Sequence, residues 1–314
     1  MRIAVIINPI AGRGRRRAEG AARRDHARTI VGAAGIEATI AVSERAGHAR
    51  TLAADAVAAD VDAVIVWGGD GTVNEAAGPL LGTRIALGIV PCGSGDGLAR
   101  GLGLPLDPRA VVAAAVRGTG HAIDAGFVGP RHFLNIAGVG FDAAVAAAFD
   151  RRGRFGALSY AAAAIGRVWS YRPERYRLTL EGVPADGPLF LVAFANSRQY
   201  GNGLVLAPHA DPADGRLDVV VVDGGSPVEQ IWRARRLVVR PLTRARGVMR
   251  ARVSTASIEG ARLVCHVDGE PFETGGTLDV RVETEAIRIV GAGLGRAWRP
   301  AAVLAGTGAA IGEV

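Results

Sequence analysis

The stretch DAVIVWGG, Asp62 to Gly69, constrains this chain more than any other. After its first residue it is apolar without alternation, and it closes on two glycines. A strand with one wet face alternates polar and apolar residues, so an unbroken apolar run predicts burial on both faces, as in a parallel sheet flanked by helices. Its neighbours repeat the theme. RIAVIIN (Arg2–Asn8), IEATIAVS (Ile36–Ser43) and RIALGIVP (Arg84–Pro91) read as further strands. Helical stretches lie between them: the Arg- and Ala-rich segment after Gly14, then AGHARTLAADAVAA, a short helix after Thr72, another near DGLARGLG, and DPRAVVAAAVRG. Asp107 and Pro108 open the last of these, and Ser43 is expected to cap the second. The alternation predicts an open α/β sheet with helices on both faces, whose ligands bind beyond the carboxyl ends of the strands.

After about Gly129 the texture changes. RYRLTLEG, LFLVAFANS, RLDVVVVDG, ARLVCHVDG and LDVRVETEAIRIVG are strand-like runs separated by Gly, Asp and Pro. This spacing predicts mostly antiparallel β structure. Two helices are expected within it, GALSYAAAAIGRVWS and SPVEQIWRARRLVVR. The expected organisation is an α/β domain over 1–128, a β-rich domain over 129–295, and a weakly specified Ala/Gly-rich tail, 296–314, packing back on the first domain. A cleft between the two domains is expected.

With 314 residues, 49% of them hydrophobic, the chain can bury two cores. Cys92 and Cys265 stand far apart without metal-ligand spacing, which suggests a reducing compartment and no disulfide framework. No apolar run approaches a membrane span, and the apolar start is too short for a secretory signal, so a cytoplasmic protein is expected. The net charge is +7, and every basic side chain except histidine is arginine. Genome composition explains most of that bias. Clusters at Arg13, Arg15, Arg16 and Arg17, and again from Arg233 to Arg252, would also suit anionic surfaces. No aromatic interleaving accompanies them, which argues against nucleic acid.

Chemistry concentrates in GGDGTVNE, Gly68 to Glu75. Gly68, Gly69 and Gly71 follow a buried strand and precede a helix, where backbone N–H groups can face a phosphate. There is no Gly-Lys-Ser/Thr and no G-x-G-x-x-G spacing. Asp70 among those glycines calls for a counter-charge from outside, and Mg²⁺ carried by a nucleoside triphosphate supplies one. The bland alternative is a tight turn in which Asp70 caps the helix.

Three motifs in order, NPIAG (Asn8–Gly12), GGDGTVNE and PCGSGDGLAR (Pro91–Arg100), resemble the diacylglycerol kinase catalytic-domain family, which includes sphingoid-base and ceramide kinases. The resemblance runs from Met1 to about Gly291. It implies an NAD kinase-like α/β domain, a β-sandwich-like second domain and ATP-dependent phosphorylation of a lipid hydroxyl. By resemblance, Asn8, Pro9, Ala11, Gly12, Arg13, Ser43, Gly68, Gly69, Asp70, Gly71, Thr72, Asn74, Gly93 and Ser94 would line the nucleotide. Asp124 in HAIDAGFV would be an acid near the phosphates. Glu270, after the Asp-Gly of CHVDGEPFE, would be the general base, with Asp70 a second candidate for that role. In APHADPADGRLDV, Asp214 would ligate a structural Mg²⁺ by its carboxylate, with the carbonyls of Asp211 and Arg216. A plain Asp-Gly hairpin turn is the alternative there.

The chain departs from the bacterial pattern G-T-x-N-D-x-x-R, because Asp96 replaces the Asn and Gly97 the Asp. GSG with a small residue, Gly97, before Leu-Ala is closer to sphingoid-base kinases, which leaves the acceptor open between diacylglycerol and a sphingoid base. Arg13 stands where relatives carry Lys and keeps the charge. NAD kinase shares the GGDG loop but not the later motifs, and a catalytically weak binding module is the remaining alternative. The expected partner is a lipid at a membrane surface, met by peripheral association. Nothing in the sequence fixes the oligomeric state, and a homodimer is admitted.

Overall fold

A computed structural model describes residues 1–12, 17–152, 166–201, 204–239 and 246–291. The first half alternates as the sequence predicts. Strands β1 (Arg2–Ile7), β2 (Glu37–Val42), β3 (Ala63–Gly68) and β4 (Ala86–Pro91) are interleaved with helices α1 (Arg17–Ala33), α2 (His48–Ala58) and α3 (Asp70–Ala77). Helices α4 (Gly97–Gly101) and α5 (Pro108–Val116) follow. The four strands are parallel in the order β2-β1-β3-β4. Every residue of β3 is buried. Along β1 and β3 successive side chains divide between two cores. Ile3, Val5, Ile7, Ile65 and Trp67 join α1 and α5, while Ala4, Ile6, Val64 and Val66 join α2 and α3. The unbroken apolar run is thus explained, since both pleat faces meet helices.

The second half is antiparallel and β-rich. Strands β5 (Gly120–Val128), β6 (Arg131–Phe133) and β7 (Ile136–Gly140) lead into α6 (Phe141–Arg152). Then come β8 (Glu174–Leu180), β9 (Val183–Pro184), β10 (Gly187–Ala195), β11 (Gln199–Gly201), β12 (Leu204–Val205) and β13 (Leu217–Asp223). Helix α7 (Pro227–Val239) precedes β14 (Val248–Val253), β15 (Thr255–Val267) and β16 (Glu270–Val290). The path β14-β13-β10-β7-β15-β16 continues into β4, so one sheet runs through both halves. The 21-residue β16 is the join. Its first half pairs with β15; its end pairs with β5 and, at Ile289 against Leu87, with β4. Ala286, Ile287 and Ile289 lie in the core of the α/β half, so the chain returns to its first layer at the end of its last described strand.

Local expectations need correcting in three places. Ser43 does not cap α2: that helix starts at His48, after Gly47 at φ 78°, and the Ser43 N–H extends the β1–β2 ladder to the Ile7 carbonyl at 2.8 Å. The helix expected after Thr72 begins already at Asp70. Helix α6 was not expected, because its alanines follow an apolar strand with only Gly140 between as punctuation. The helix expected over GALSYAAAAIGRVWS lies largely outside the described residues, and the tail 296–314 lies wholly outside them. No helix among the described residues is long and apolar enough to cross a membrane.

Candidate active site

Three turns meet at the carboxyl ends of β1, β3 and β4, and their glycines are what lets them meet. A Cβ on Gly93 would stand 2.7 Å from the Gly69 Cα, and one on Gly12, at φ +83°, would run into the Cys92 carbonyl. Asn8 ties the first turn to the second, its amide donating to the Thr72 hydroxyl at 2.7 Å. Behind the first turn, Arg23 of α1 spreads its guanidinium over two carbonyls, those of Asn8 at 2.7 Å and Ala11 at 2.9 Å. A planar fork on two backbone acceptors fixes the NPIAG turn as a point charge could not.

Asp70 is the first residue of α3, yet it does not cap its own helix; Gly69 is the N-cap and no side chain bonds there. Its carboxylate instead crosses to the start of α4, accepting from the Gly97 N–H at 3.0 Å and the Leu98 N–H at 3.4 Å. Burial raises its carboxyl to about 6, against the bond from Gly97, and the nearby charges of Asp96 and Asp268 push the same way. Asp96 closes the third turn by accepting the Gly93 N–H at 2.8 Å, from a left-handed backbone at φ 46°. Asp and Asn share that tolerance and that acceptor, so the Asn-to-Asp departure keeps the turn. Gly97 has a different cause. A Cβ there would lie 2.7 Å from the Asn135 Nδ2 and 2.9 Å from the Tyr200 carbonyl oxygen, where the β-rich half presses on α4.

That half contributes the turn between β15 and β16. Asp268, at φ 48°, accepts four hydrogen bonds: from the Asn74 amide at 2.8 Å, and from the backbone N–H groups of Leu134, Asn135 and Ile136 at 2.9, 2.9 and 3.0 Å. Asn74 also donates to the His132 carbonyl at 3.2 Å, while its own carbonyl lies 2.9 Å from the His132 Nε2. One carboxylate therefore bolts the second half onto α3. Two residues on, the Glu270 carboxylate occupies the space that a Cβ on Gly71 would need. Glu270 thus lies against the glycine turn that carries Asp70, though 200 residues separate them in sequence.

Comparisons with known proteins bear on this arrangement. Residues 2–128 match the diacylglycerol kinase catalytic domain, and residues 135–291 match the YegS C-terminal NAD kinase beta sandwich-like domain. A diacylglycerol kinase of Mycobacterium tuberculosis is 37% identical over 237 residues, covering 72% of this chain and 74% of the relative. The chain belongs to the diacylglycerol kinase catalytic-domain family. It is a lipid kinase by the names of its relatives, which include a YegS-like lipid kinase of Pseudomonas aeruginosa, 32% identical over 82% of this chain and 85% of the relative. The crystal structure of a diacylglycerol kinase from Bacillus anthracis shares the fold, with a TM-score of 0.69 over 93% of this chain and 97% of that one at 20% identity.

The lipid kinase's other expected residues do not all meet at the turns. Asn8, Pro9, Ala11, Gly12, Gly68, Gly69, Gly71, Thr72 and Gly93 build the turns, and exposed Ser94 sits at the rim of the third. Ser43 lies at the end of β2, beside them. Asn74 is buried and committed to Asp268. Arg13 lies outside the described residues. Asp124 is brought elsewhere: it is 1% exposed in mid-strand, and its carboxylate accepts from the Gly215 N–H at 2.7 Å and the Glu285 N–H at 2.9 Å. It braces the 211–216 turn instead of joining Asp70 and Glu270.

At the turn where the resemblance implies a structural Mg²⁺, the Asp214 carboxylate is already engaged. One Asp214 oxygen accepts from the Arg216 N–H at 2.9 Å, and the other is in contact with the Arg252 guanidinium. Arg252 supplies the positive charge there, though burial still raises the Asp214 carboxyl to about 6. Asp211 caps its own turn, accepting from the Ala213 N–H at 3.1 Å. Among the described residues, no three His, Cys, Asp or Glu side chains converge as a metal site. Arg23, Asp96 and Asp268 were missed as site residues. Only the last two carried a signal, each being an Asp before Gly within a quoted motif.

Proposed function

We propose that this lipid kinase transfers the γ-phosphoryl group of ATP, bound with Mg²⁺, to a hydroxyl of diacylglycerol or a related lipid. The observation that carries the reading is the placement of Glu270 against the Gly71 turn, facing the strand ends where a nucleotide binds in an open α/β sheet. The N–H groups of the glycine turns are suited to phosphate oxygens. The charges of Asp96 and Asp268 push the Asp70 carboxyl up, so these carboxylates place negative charge beside the turns, which a divalent cation carried in with the phosphates would offset. Mg²⁺ there would neutralise charge between them and the nucleotide. Phosphoryl transfer needs mainly positioning and neutralisation. The acceptor hydroxyl must lose its proton, and Glu270 is the base that takes it, an effect typically worth ~10²–10⁴ in rate. Asp70, held by two N–H groups, fixes α4 against the phosphate turns.

The kinase reaches its acceptor at a membrane surface. On α7, Val228 and Trp232 are four residues apart and 65% and 52% exposed, just before the arginine-rich stretch that begins at Arg233. A sphingoid base is the second acceptor reading, favoured by the small residue that Gly97 must be. Labelled ATP with diacylglycerol, monoacylglycerol, sphingosine and ceramide in mixed micelles, for wild type and Glu270→Gln, tests the whole. Transfer to diacylglycerol that falls at least ~100-fold in kcat on Glu270→Gln, with nucleotide KM unchanged, is expected. Unchanged kcat removes Glu270 as the base, and transfer to sphingosine alone moves the acceptor to the second reading.

A further inference from the structure

Behind the β15–β16 turn a buried Asp142–His266 pair meets half-buried Tyr200, and the reaction as described does not use them. Asp142, in the first turn of α6, is 7% exposed, and His266, four residues before Glu270, is 3% exposed. The His266 Nε2 is 3.0 Å from the Asp142 Oδ2, and the same oxygen accepts from the Tyr200 hydroxyl. The Asp142 Oδ1 accepts the Ala143 N–H at 2.8 Å. A carboxylate can only accept here, so the His266 Nε2 carries the proton and its Nδ1 presents a lone pair. That lone pair receives the Gly269 N–H at 3.3 Å. The neighbouring strand is cleared for the pair: a Cβ on Gly138 would collide with the Asp142 carboxylate and approach the His266 Nε2 to 2.6 Å.

We propose that His266, oriented by Asp142 and Tyr200, is a positioning residue that sets Glu270 by holding the Gly269 N–H. The proposal rests on the reading of Glu270 as the base. The turn needs such support. Asp268 and Gly269 have φ +48° and +90°, a left-handed pair that a non-glycine residue adopts only at a steric cost. The four bonds to Asp268 anchor one side of the turn, and the His266 lone pair holds the peptide that leads into Glu270. Without it the Gly269 peptide can rotate and carry Glu270 off the Gly71 turn. A misplacement of ~1 Å at a reacting group costs on the order of 10²-fold in rate.

The two amide replacements separate the imidazole's two nitrogens. His266→Asn puts an oxygen near the Nδ1 position, where it can accept the Gly269 N–H, and leaves Asp142 to Tyr200 and Ala143. His266→Gln reaches toward Asp142 and gives up Gly269. Turnover of labelled ATP with diacylglycerol micelles is expected within ~5-fold of wild type for Asn and reduced ~30–100-fold for Gln, at unchanged nucleotide KM, with both variants folded by circular dichroism. In a Glu270→Gln background the loss on His266→Gln should vanish, because both changes act through one group. Equal losses for Asn and Gln overturn the proposal. A loss on His266→Gln that persists at full size beside Glu270→Gln also overturns it. Wild-type turnover of Glu270→Gln alone would instead sink the base assignment itself.

Discussion

Replacing Asp70 by Asn should make the protein more stable as pH rises, while abolishing transfer. The carboxyl titrates at about 6 in the folded chain against 3.8 in the unfolded one, chiefly because burial disfavours its charge. Its folded-state pKa is raised, so its contribution to stability is present in full below 3.8 and is lost as pH climbs to 6. In that window the folded state holds more protons than the unfolded one, and stability falls with pH. The rise from 3.8 to about 6 corresponds to about 3 kcal/mol in all, of which about 2 kcal/mol falls between pH 4.5 and 8. Asn does not titrate. Its oxygen can keep the bond from Gly97, and its amide group would face the Leu98 N–H, at a steady cost of about 1 kcal/mol. The stability of Asp70→Asn minus that of wild type should therefore rise by about 2 kcal/mol from pH 4.5 to 8, read from urea unfolding at fixed ionic strength. A difference that stays flat within ~0.5 kcal/mol would show that the Asp70 carboxyl is not held in a desolvating site, and the argument from its burial would fail.

Other perturbations probe the contact between the two halves. Asp268→Asn leaves two of four donors facing an amide group and should cost about 2–4 kcal/mol in urea titrations; a loss below ~1 kcal/mol would mean that those bonds do not hold the β-rich half to α3. Gly97→Ala must push its methyl against Asn135 and the Tyr200 carbonyl, and a destabilisation of about 1–3 kcal/mol is expected from the shift of the denaturation midpoint, with no change indicating open space. Arg23→Met removes the fork under NPIAG and should raise the ATP KM about tenfold with less effect on kcat, whereas an unchanged KM would separate that turn from the nucleotide. Binding to anionic vesicles should weaken with added salt and on Trp232→Ala; salt-independent binding would leave the arginines of α7 without a membrane role.

Much of this architecture was written locally. Hydrophobic period and glycine punctuation are short-range properties, so the run from Ala63 to Trp67 announced a strand buried on both faces, and the turns after β1, β3 and β4 could be recognised from their own residues. The placement of Glu270 against the turn that carries Asp70 was legible only through resemblance, since no local rule links residues so far apart. What the tertiary structure decided is where the polar side chains spend their bonds. Asp70 reaches the next helix instead of capping its own, Asn74 gives its amide to Asp268, and Asp214 pairs with Arg252 where a cation was expected. The β-rich half presses on α4 at Gly97, and the end of β16 re-enters the first core. Apolar burial needs only the right period to find a face, whereas a buried carboxylate must find particular donors, and those come from distant segments that only folding brings together.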